Sequence, residues 1–397
     1  MVTLPSAPWR GLAGLERLLA VLGAGSGDTR FVGGCVRDTL LGLTVSDIDL
    51  ATRLAPEEVM RRLREAGIKA VPTGLAHGTV TAVVSGRPIE VTTLRRDVAT
   101  DGRRATVAFT DDWRADAARR DFTINALSAD PASGAVFDYF DGLADLQARR
   151  VRFIGDPLTR IAEDHLRILR FFRFHARFGT GAPDAAGLAA CTARANDLMA
   201  LSRERIADEM LKLLALPRPA ETVQIMLDAG VLRPVLPEIV ATDRLERVIA
   251  AEAAARLAPD PLRRLAALLP QEPAVAAGAA SRLRLSNKAV KRIELAADPR
   301  LEPPRMLAWR IGTASAVDRL LVAGDAAGAA NVAGWQPPRL PIGGGALIAM
   351  GLPPGPLVAR TLSRLSEAWA QGGFEEDGEA VEALARAHVD QALRDCQ

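Results

Sequence analysis

Asp47 and Asp49 stand one residue apart in SDIDL. Side chains alternate along a strand, so the two carboxylates are expected to project together while Ile48 turns into the core. Oxygen donors of this kind suit a hard cation, and Mg²⁺ held by one or two carboxylates plus substrate phosphates is the usual arrangement for nucleotide chemistry. A D-x-D triplet alone fits a solvated strand end or turn better, so its surroundings decide. Glu90 in PIEVTT falls on a second expected strand, with Ile89 and Val91 on the opposite face; it reads either as a third carboxylate or as an exposed edge residue.

Gly33 and Gly34 lie between an expected strand, TRFVGG, and a helix start, VRDTLLG. Without side chains there, backbone N–H groups can approach a phosphate at the positive end of the helix, and Arg37, one turn on, reaches the same region. A plain turn is the alternative. No G-K-[ST] ending follows, which sets P-loop ATPases aside. In RRDFTINA, Arg119 and Arg120 offer planar donors for a triphosphate, and Asp121 can accept from a ribose hydroxyl or cap the next helix. Asn125 can brace the loop.

These residues need a frame. Up to about residue 150, strand and helix signals mix, with SDIDLAT as a strand, PEEVMRRLREAG as a helix carrying acids in its first turn, and GTVTAVV and PIEVTTL as a hairpin across Ser85, Gly86 and Arg87. The stretch 94–120 is polar and weakly periodic and reads as a loop, after which DFTINALSAD reads as a helix. From 151 onward the pattern is helical and alanine-rich, with EDHLRILRFFRFHARFG, RERIADEMLKLLAL and AETVQIMLDAGVL as successive helices. The class expected is α+β, with a small-sheet first part and an all-α remainder.

At 397 residues the chain is long enough for several folding units, and an apolar fraction of 49% supplies their cores. Only Lys69, Lys212, Lys288 and Lys291 among the 50 basic residues are lysines; the rest are arginines, the side chain that grips phosphate bidentately. Cys35, Cys191 and Cys396 are too scattered for a disulfide framework or zinc site, and Cys35 reads as a packing residue. His77, His165, His175 and His388 form no ligand cluster, against a histidine-built metal phosphohydrolase. With no signal peptide and no run near the roughly 18 apolar residues of a membrane span, a soluble, cytoplasmic protein with no membrane association is expected.

GGCVRDTLLGLTVSDIDLAT, RRDFTINAL, EDHLRILRFFRF and RERIADEM together resemble, in order and spacing, the signature motifs of the class II tRNA nucleotidyltransferases, the CCA-adding enzymes and their bacterial poly(A) polymerase relatives. The resemblance spans roughly residues 30–240, with LRLSNKAVKR and LIAMGLPPGP similar more loosely. It implies a DNA polymerase β-like nucleotidyltransferase head over 1–150, a helical neck over 151–240 that recognises the base and binds RNA, and a helical body and tail over 241–397 that bind tRNA. It makes Asp47 and Asp49 the metal-binding aspartates with Glu90 beside them, Gly34 and Arg37 triphosphate contacts, and Arg119, Arg120 and Asp121 phosphate and ribose contacts. Arg170 and Arg173 are assigned by the same resemblance to nucleotide binding.

On the same resemblance, base choice is expected from a helix beginning at Glu163, a segment that taken alone reads as an ordinary salt-bridged helix. Asp164 and Arg167, three residues apart on one helical face, are expected to pair with each other and to present an acceptor and donors edge-on. Cytosine N4 and adenine N6 are exocyclic amine donors, while guanine and uracil place a carbonyl there. A carbonyl against the Asp164 carboxylate leaves acceptors facing, at about 1–3 kcal/mol. The segment 94–118 is the expected moving part when specificity passes from C to A.

Arg282, Arg284, Lys288, Lys291 and Arg292 form a basic cluster that reads as an RNA backbone contact or a solvated helix face. The expected activity is Mg²⁺-dependent addition of CCA to the tRNA 3′ end from CTP and ATP, releasing pyrophosphate. A poly(A) polymerase, an A-only or a CC-only enzyme shares the same motifs, and a non-catalytic RNA-binding protein on this fold is the alternative of another class. No protein partner is implied.

Overall fold

A computed structural model of the chain describes residues 2–101 and 104–395, with the backbone alone described over 97–101 and 104–107; Cys396 lies outside the described residues. Nine strands occur among them: β1 (Thr29–Val32), β2 (Asp49–Thr52), β3 (Lys69–Gly74), β4 (Thr79–Val84), β5 (Arg87–Thr93), β6 (Arg95–Asp101), β7 (Arg104–Phe109), β8 (Ser128–Ala129) and β9 (Val136–Phe137). Seven form one sheet in the order β3-β4-β5-β2-β1-β8-β9, and β6 and β7 form a separate hairpin. The β4–β5 hairpin is as expected: Ser85 and Gly86 both take positive φ (49° and 76°), the two-residue turn whose twist matches paired strands.

β2 runs antiparallel to β1 and parallel to β5, which brings Asp49 opposite Glu90. Alternation then sorts the two faces. Phe31 packs edge-to-face on Trp9, ring centroids 4.7 Å apart, on one side. Val32 and Ala51 pack with Leu94 and Trp113 on the other, the side that also carries Asp49.

Three local expectations differ from the structure. The segment 94–118 is not an irregular loop: β6 and β7 are rich in Val, Thr and Phe that favour strands, and the helix Trp113–Ala118 follows, capped by the Asp112 side chain. DFTINALSAD does not resume a helix; it makes a single 3₁₀ turn, Thr123–Asn125, before β8 returns to the sheet. Nor does a helix begin at Glu163. One helix, Pro157–Glu163, ends there, Asp164 is extended (φ −153°, ψ 105°), and the next starts at Arg167.

The helix Arg167–Phe178 is fixed to the head by aromatic packing. Phe122 lies 5.1 Å from Phe174 and 5.0 Å from Phe153, and Phe153 stacks on Phe171 at 5.4 Å. Contacts group everything as far as Pro237 into one compact unit, so the change from sheet to helix after residue 150 falls inside it. The second unit, from Glu238 on, is helical throughout its described residues and is built on two kinds of core. Leu307, Leu320 and Leu321 form an apolar one, and Arg263, Arg264, Glu252 and Asp318 a buried ionic one.

Candidate active site

The turn and helix after β1, the start of β2, the residues after the helix Trp113–Ala118, and the segment from Asp164 into the helix Arg167–Phe178 surround a cleft of about 590 Å³. It is lined by Gly33, Gly34, Arg37, Asp47, Asp49, Arg119, Arg120, Asp121, Asn125, Asp164, Arg167 and Arg170, all expected from the sequence, and by Phe174, which was not. A slightly larger hollow of about 690 Å³ near the N-terminus is lined by Arg10, Glu16 and small or apolar residues and contains none of them.

Gly33 caps the helix Gly34–Leu40 with φ 68° and ψ −124°, a conformation suited to glycine. A Cβ there would lie 2.9 Å from Arg120 Nη1, so the glycine also makes room for an arginine of the cleft. Arg37 is buried, donates from Nη1 to Asn125 Oδ1 and from Nε to Asp38 Oδ1 at 2.7 Å, and lies 4.1 Å over the Phe178 ring. Burial lowers its affinity for the proton, against the pull of Asp38. Cys35, 1% exposed, points its Sγ at the carbonyls of Val32 (3.3 Å) and Asp49 (3.7 Å). Burial pushes this thiol up to about 12, so it packs and does not react at neutral pH.

Asp47 precedes β2, is exposed and accepts from Ser46 Oγ at 2.8 Å, while Ile48 is buried as expected. Asp49 is half-buried. Burial first, then the charges of Glu90 and Asp47, push its carboxyl up to about 6, with Arg120 opposing. Glu90 is exposed and does not line the cleft. Among the described residues no group of three or more His, Cys, Asp or Glu converges to hold a metal ion alone. A hard cation would therefore take Asp47 and Asp49 and complete its shell from phosphate oxygens. The charges of Glu90 and Asp47, which add to burial in raising Asp49, fit that demand.

Asp121 is engaged throughout. Its Oδ1 accepts from Phe122 N and Asn125 Nδ2, both at 2.9 Å, and its Oδ2 from Arg170 Nε at 2.9 Å and Nη2 at 2.6 Å. Four donors fill the roughly four acceptor sites of a carboxylate, which leaves none for the expected ribose hydroxyl. Burial alone would raise this carboxyl, yet Arg170 and the other donors hold it below the usual range. Arg119 Nε donates to Asp116 at 2.9 Å, and Arg120 reaches the Asn125 carbonyl at 3.3 Å.

The expected Asp164–Arg167 pair is absent, because the chain is not helical between them. Arg167 Nη1 instead donates to Glu163 and to the Arg160 carbonyl (2.9 Å), and Nη2 to the Arg119 carbonyl (3.0 Å). Asp164 is held by Arg205, whose Nη2 lies 3.1 and 2.9 Å from its two oxygens. Arg173 leaves the cleft and pairs with buried Glu209 at 2.6 Å. Glu163 and Arg205, which hold the lining residues Arg167 and Asp164, were therefore missed; RERIADEM was legible as a motif, but no spacing rule connects it to Asp164.

In the second unit the basic cluster is divided. Arg282 pairs with Glu238 and Lys291 with Glu294. Arg292 turns inward to Asp260 and Asp318, contrary to its reading as an RNA contact. Arg284 and Lys288 are exposed.

Known proteins resemble this chain in sequence and in fold. Residues 29–152 match the poly(A) polymerase head domain, and residues 184–242 the family described as a probable RNA- and SrmB-binding site of polymerase A. The mitochondrial CCA tRNA nucleotidyltransferase 1 of Mus musculus is 42% identical over 221 residues, 55% of this chain and 51% of that protein. The CCA-adding enzyme of Levilactobacillus brevis is 42% identical over 203 residues, 50% of this chain and 49% of its own. The chain thus spans about half the length of the curated relatives it matches. The crystal structure of the Bacillus stearothermophilus CCA-adding enzyme in complex with CTP superposes with a TM-score of 0.72 at 26% identity, covering 96% of this chain and 99% of that one. Over residues 29–152 and 184–242 the chain is thus similar to the poly(A) polymerase head and RNA-binding families, and over nearly its whole length its fold is that of a CCA-adding enzyme.

Proposed function

We propose that this protein adds C, C and A to the 3′ end of tRNA without a template, from CTP and ATP, releasing pyrophosphate. The observation that carries the reading is the convergence of four aspartates and five arginines on one cleft floored by a Gly-Gly helix start, with Asp121 and Asp164 held by arginines and Asp47 and Asp49 in no ion pair among the described residues. That set balances a triphosphate while leaving an anionic corner for a cation. The likeness to curated CCA-adding proteins supports the choice of product.

Nucleotidyltransferases of this family depend on a metal ion, and we assign magnesium to Asp47 and Asp49, with Glu90 acting on Asp49 through its charge. When bound, the ion supplies the positive charge that makes a 3′-hydroxyl more acidic and stabilises a phosphoryl transition state. Arg119, Arg120 and the Gly33–Gly34 backbone orient the triphosphate so that pyrophosphate leaves in line. Asp121 acts through Arg170 and Asn125, holding one toward the cleft and bracing Arg37 through the other.

For the base, acceptor and donor inventories support selection of C and A. Arg205 and the Leu166 N–H occupy most of the Asp164 carboxylate, leaving about one acceptor site, on Oδ2, for an exocyclic amine. Arg167 spends three of its five N–H groups on protein, leaving Nε–H and one Nη2–H for ring acceptors. Guanine and uracil oppose a carbonyl to Asp164 and lose about 1–3 kcal/mol. We assign the helices from Glu238 onward to tRNA binding, with Arg284 and Lys288 facing phosphate, and a cytoplasmic setting in keeping with buried, unpaired Cys35 and Cys191.

Purified protein given a tRNA that lacks its 3′ end, with each NTP alone and in combination, tests the reading by sequencing of the products. C-C-A addition that then stops is expected. Long A tails would assign poly(A) synthesis, and no extension would assign RNA binding without catalysis.

A further inference from the structure

We propose that Arg30, Arg53 and Arg114 form a platform for the RNA backbone on the face of the sheet that carries Asp49. The inference rests on the RNA end-transfer reading above and locates where the head holds the strand being extended. Arg30 in β1 and Asp49 and Ala51 in β2 share one face, since Arg30 is paired with Ala51 and side chains alternate along each strand. Trp113 packs against that face at Val32 and Ala51.

Three guanidinium groups then lie over aromatic rings. Arg30 sits 4.2 Å from the Trp113 centroid and 3.5 Å from that of Phe137; Arg53 is 5.7 Å from Trp113; Arg114 is 5.2 Å from Phe140. Their hydrogen bonds are to neutral groups only: Arg30 to the Tyr139 hydroxyl at 3.2 Å and Arg53 to the Asp111 carbonyl at 2.9 Å. Among the described residues none of the three has a carboxylate within ion-pair distance, unlike Arg119, Arg120, Arg167, Arg170, Arg173 and Arg205. Arg53 and Arg114 are exposed.

Aromatic support fixes a guanidinium plane without neutralising it, which leaves its N–H fork for an anion from solution. The location gives that anion an identity. Arg53 follows Asp49 by four residues of extended chain, about 13 Å at 3.3 Å per residue. Arg114 lies in the first turn of the helix after whose far end Arg119 and Arg120 enter the cleft. An RNA strand whose 3′ end lies at Asp49 would carry its phosphates across this surface, where the rings support the guanidiniums and the cationic groups track the backbone.

The test uses the exposed pair, because Arg30 is sandwiched between rings and its removal would disturb packing. The Arg53→Gln/Arg114→Gln double variant is compared with wild type for binding of a tRNA lacking its 3′ end across a salt series, with CTP binding and thermal melting as controls. Loss of two phosphate contacts is expected to reduce the log–log salt slope by about 1.4 and to raise Kd about tenfold at low salt, with CTP binding unchanged. Arg30→Lys, which keeps the charge without the planar fork, is expected to weaken RNA binding about twofold to threefold while the protein stays folded. Unchanged Kd and slope in the double variant, with wild type binding RNA, overturn the platform alone. Wild type that binds no RNA overturns both the platform and the end-transfer reading.

Discussion

Arg205 Nη2 lies within hydrogen-bonding distance of both oxygens of Asp164, 3.1 and 2.9 Å away, across 41 residues of sequence. The carboxylate proposed to read the base is thereby held from a second helix, Arg203–Leu214, and not by the arginine three positions on. Arg205→Ala is expected to leave Asp164 free to rotate and to cut discrimination of C and A over U and G about tenfold, the scale of one charge-assisted bond. Arg205→Lys should recover part of it. The measurement is kcat/KM for each NTP; unaltered ratios in the alanine variant would remove Arg205 from base selection.

Asp49→Ala separates an enzyme from a binding protein. Turnover is expected to fall by more than about 100-fold, as when a group that shapes transition-state charge is lost. Binding of the tRNA should change little. Primer extension and filter binding on the same preparation decide between them.

The same carboxylate predicts a pH signature for the metal-free protein. Asp49 ordinarily titrates at 3.8 and is raised to about 6 in the fold, chiefly by burial. A raised carboxyl favours folding fully below its unfolded value, and that contribution is lost as pH rises through the folded one. Asp49→Asn removes the titration, so its melting temperature relative to wild type should climb between about pH 4 and 6 and then level off. A difference that is flat with pH would contradict the assignment.

Gly33→Ala tests the turn. With φ at 68° and Arg120 Nη1 at 2.9 Å from the new Cβ, about 1–3 kcal/mol of strain is expected, together with displacement of a phosphate-facing guanidinium. Lower thermal stability and a raised KM for both CTP and ATP are the expected pair of results.

Arg173 and Arg170 should part company. Removing Arg173 leaves Glu209, 3% exposed, without its close partner at 2.6 Å, and about 3 kcal/mol of stability is expected to be lost. NTP discrimination should hold, since Arg173 does not line the cleft. A specificity change without destabilisation would return it to the nucleotide.

Much of the site was legible because its signals are local. Alternation along one strand placed Ile48 inside and Asp49 on the cleft face, and a glycine pair before a helix announced the positive-φ start at Gly33. The segment 94–118 was misread because polar side chains hid the β-propensity of its backbone, which pairs as β6 and β7. The helix at Glu163 was misread because regular spacing of arginines continued across a break at Asp164 that hydrophobic periodicity does not register.

Sequence alone determined which side chains could do the chemistry and on which elements most of them would stand, since strand alternation, turn chemistry and motif order act over a few residues. Tertiary structure decided the partners. Asp164 went to Arg205, Arg173 to Glu209, Asp121 to Arg170, and Arg292 to a buried carboxylate. In an arginine-rich chain every carboxylate has several candidate guanidiniums, and only packing of distant elements, such as that of Phe122, Phe171 and Phe174 in the first unit, sets which pair falls within hydrogen-bond reach.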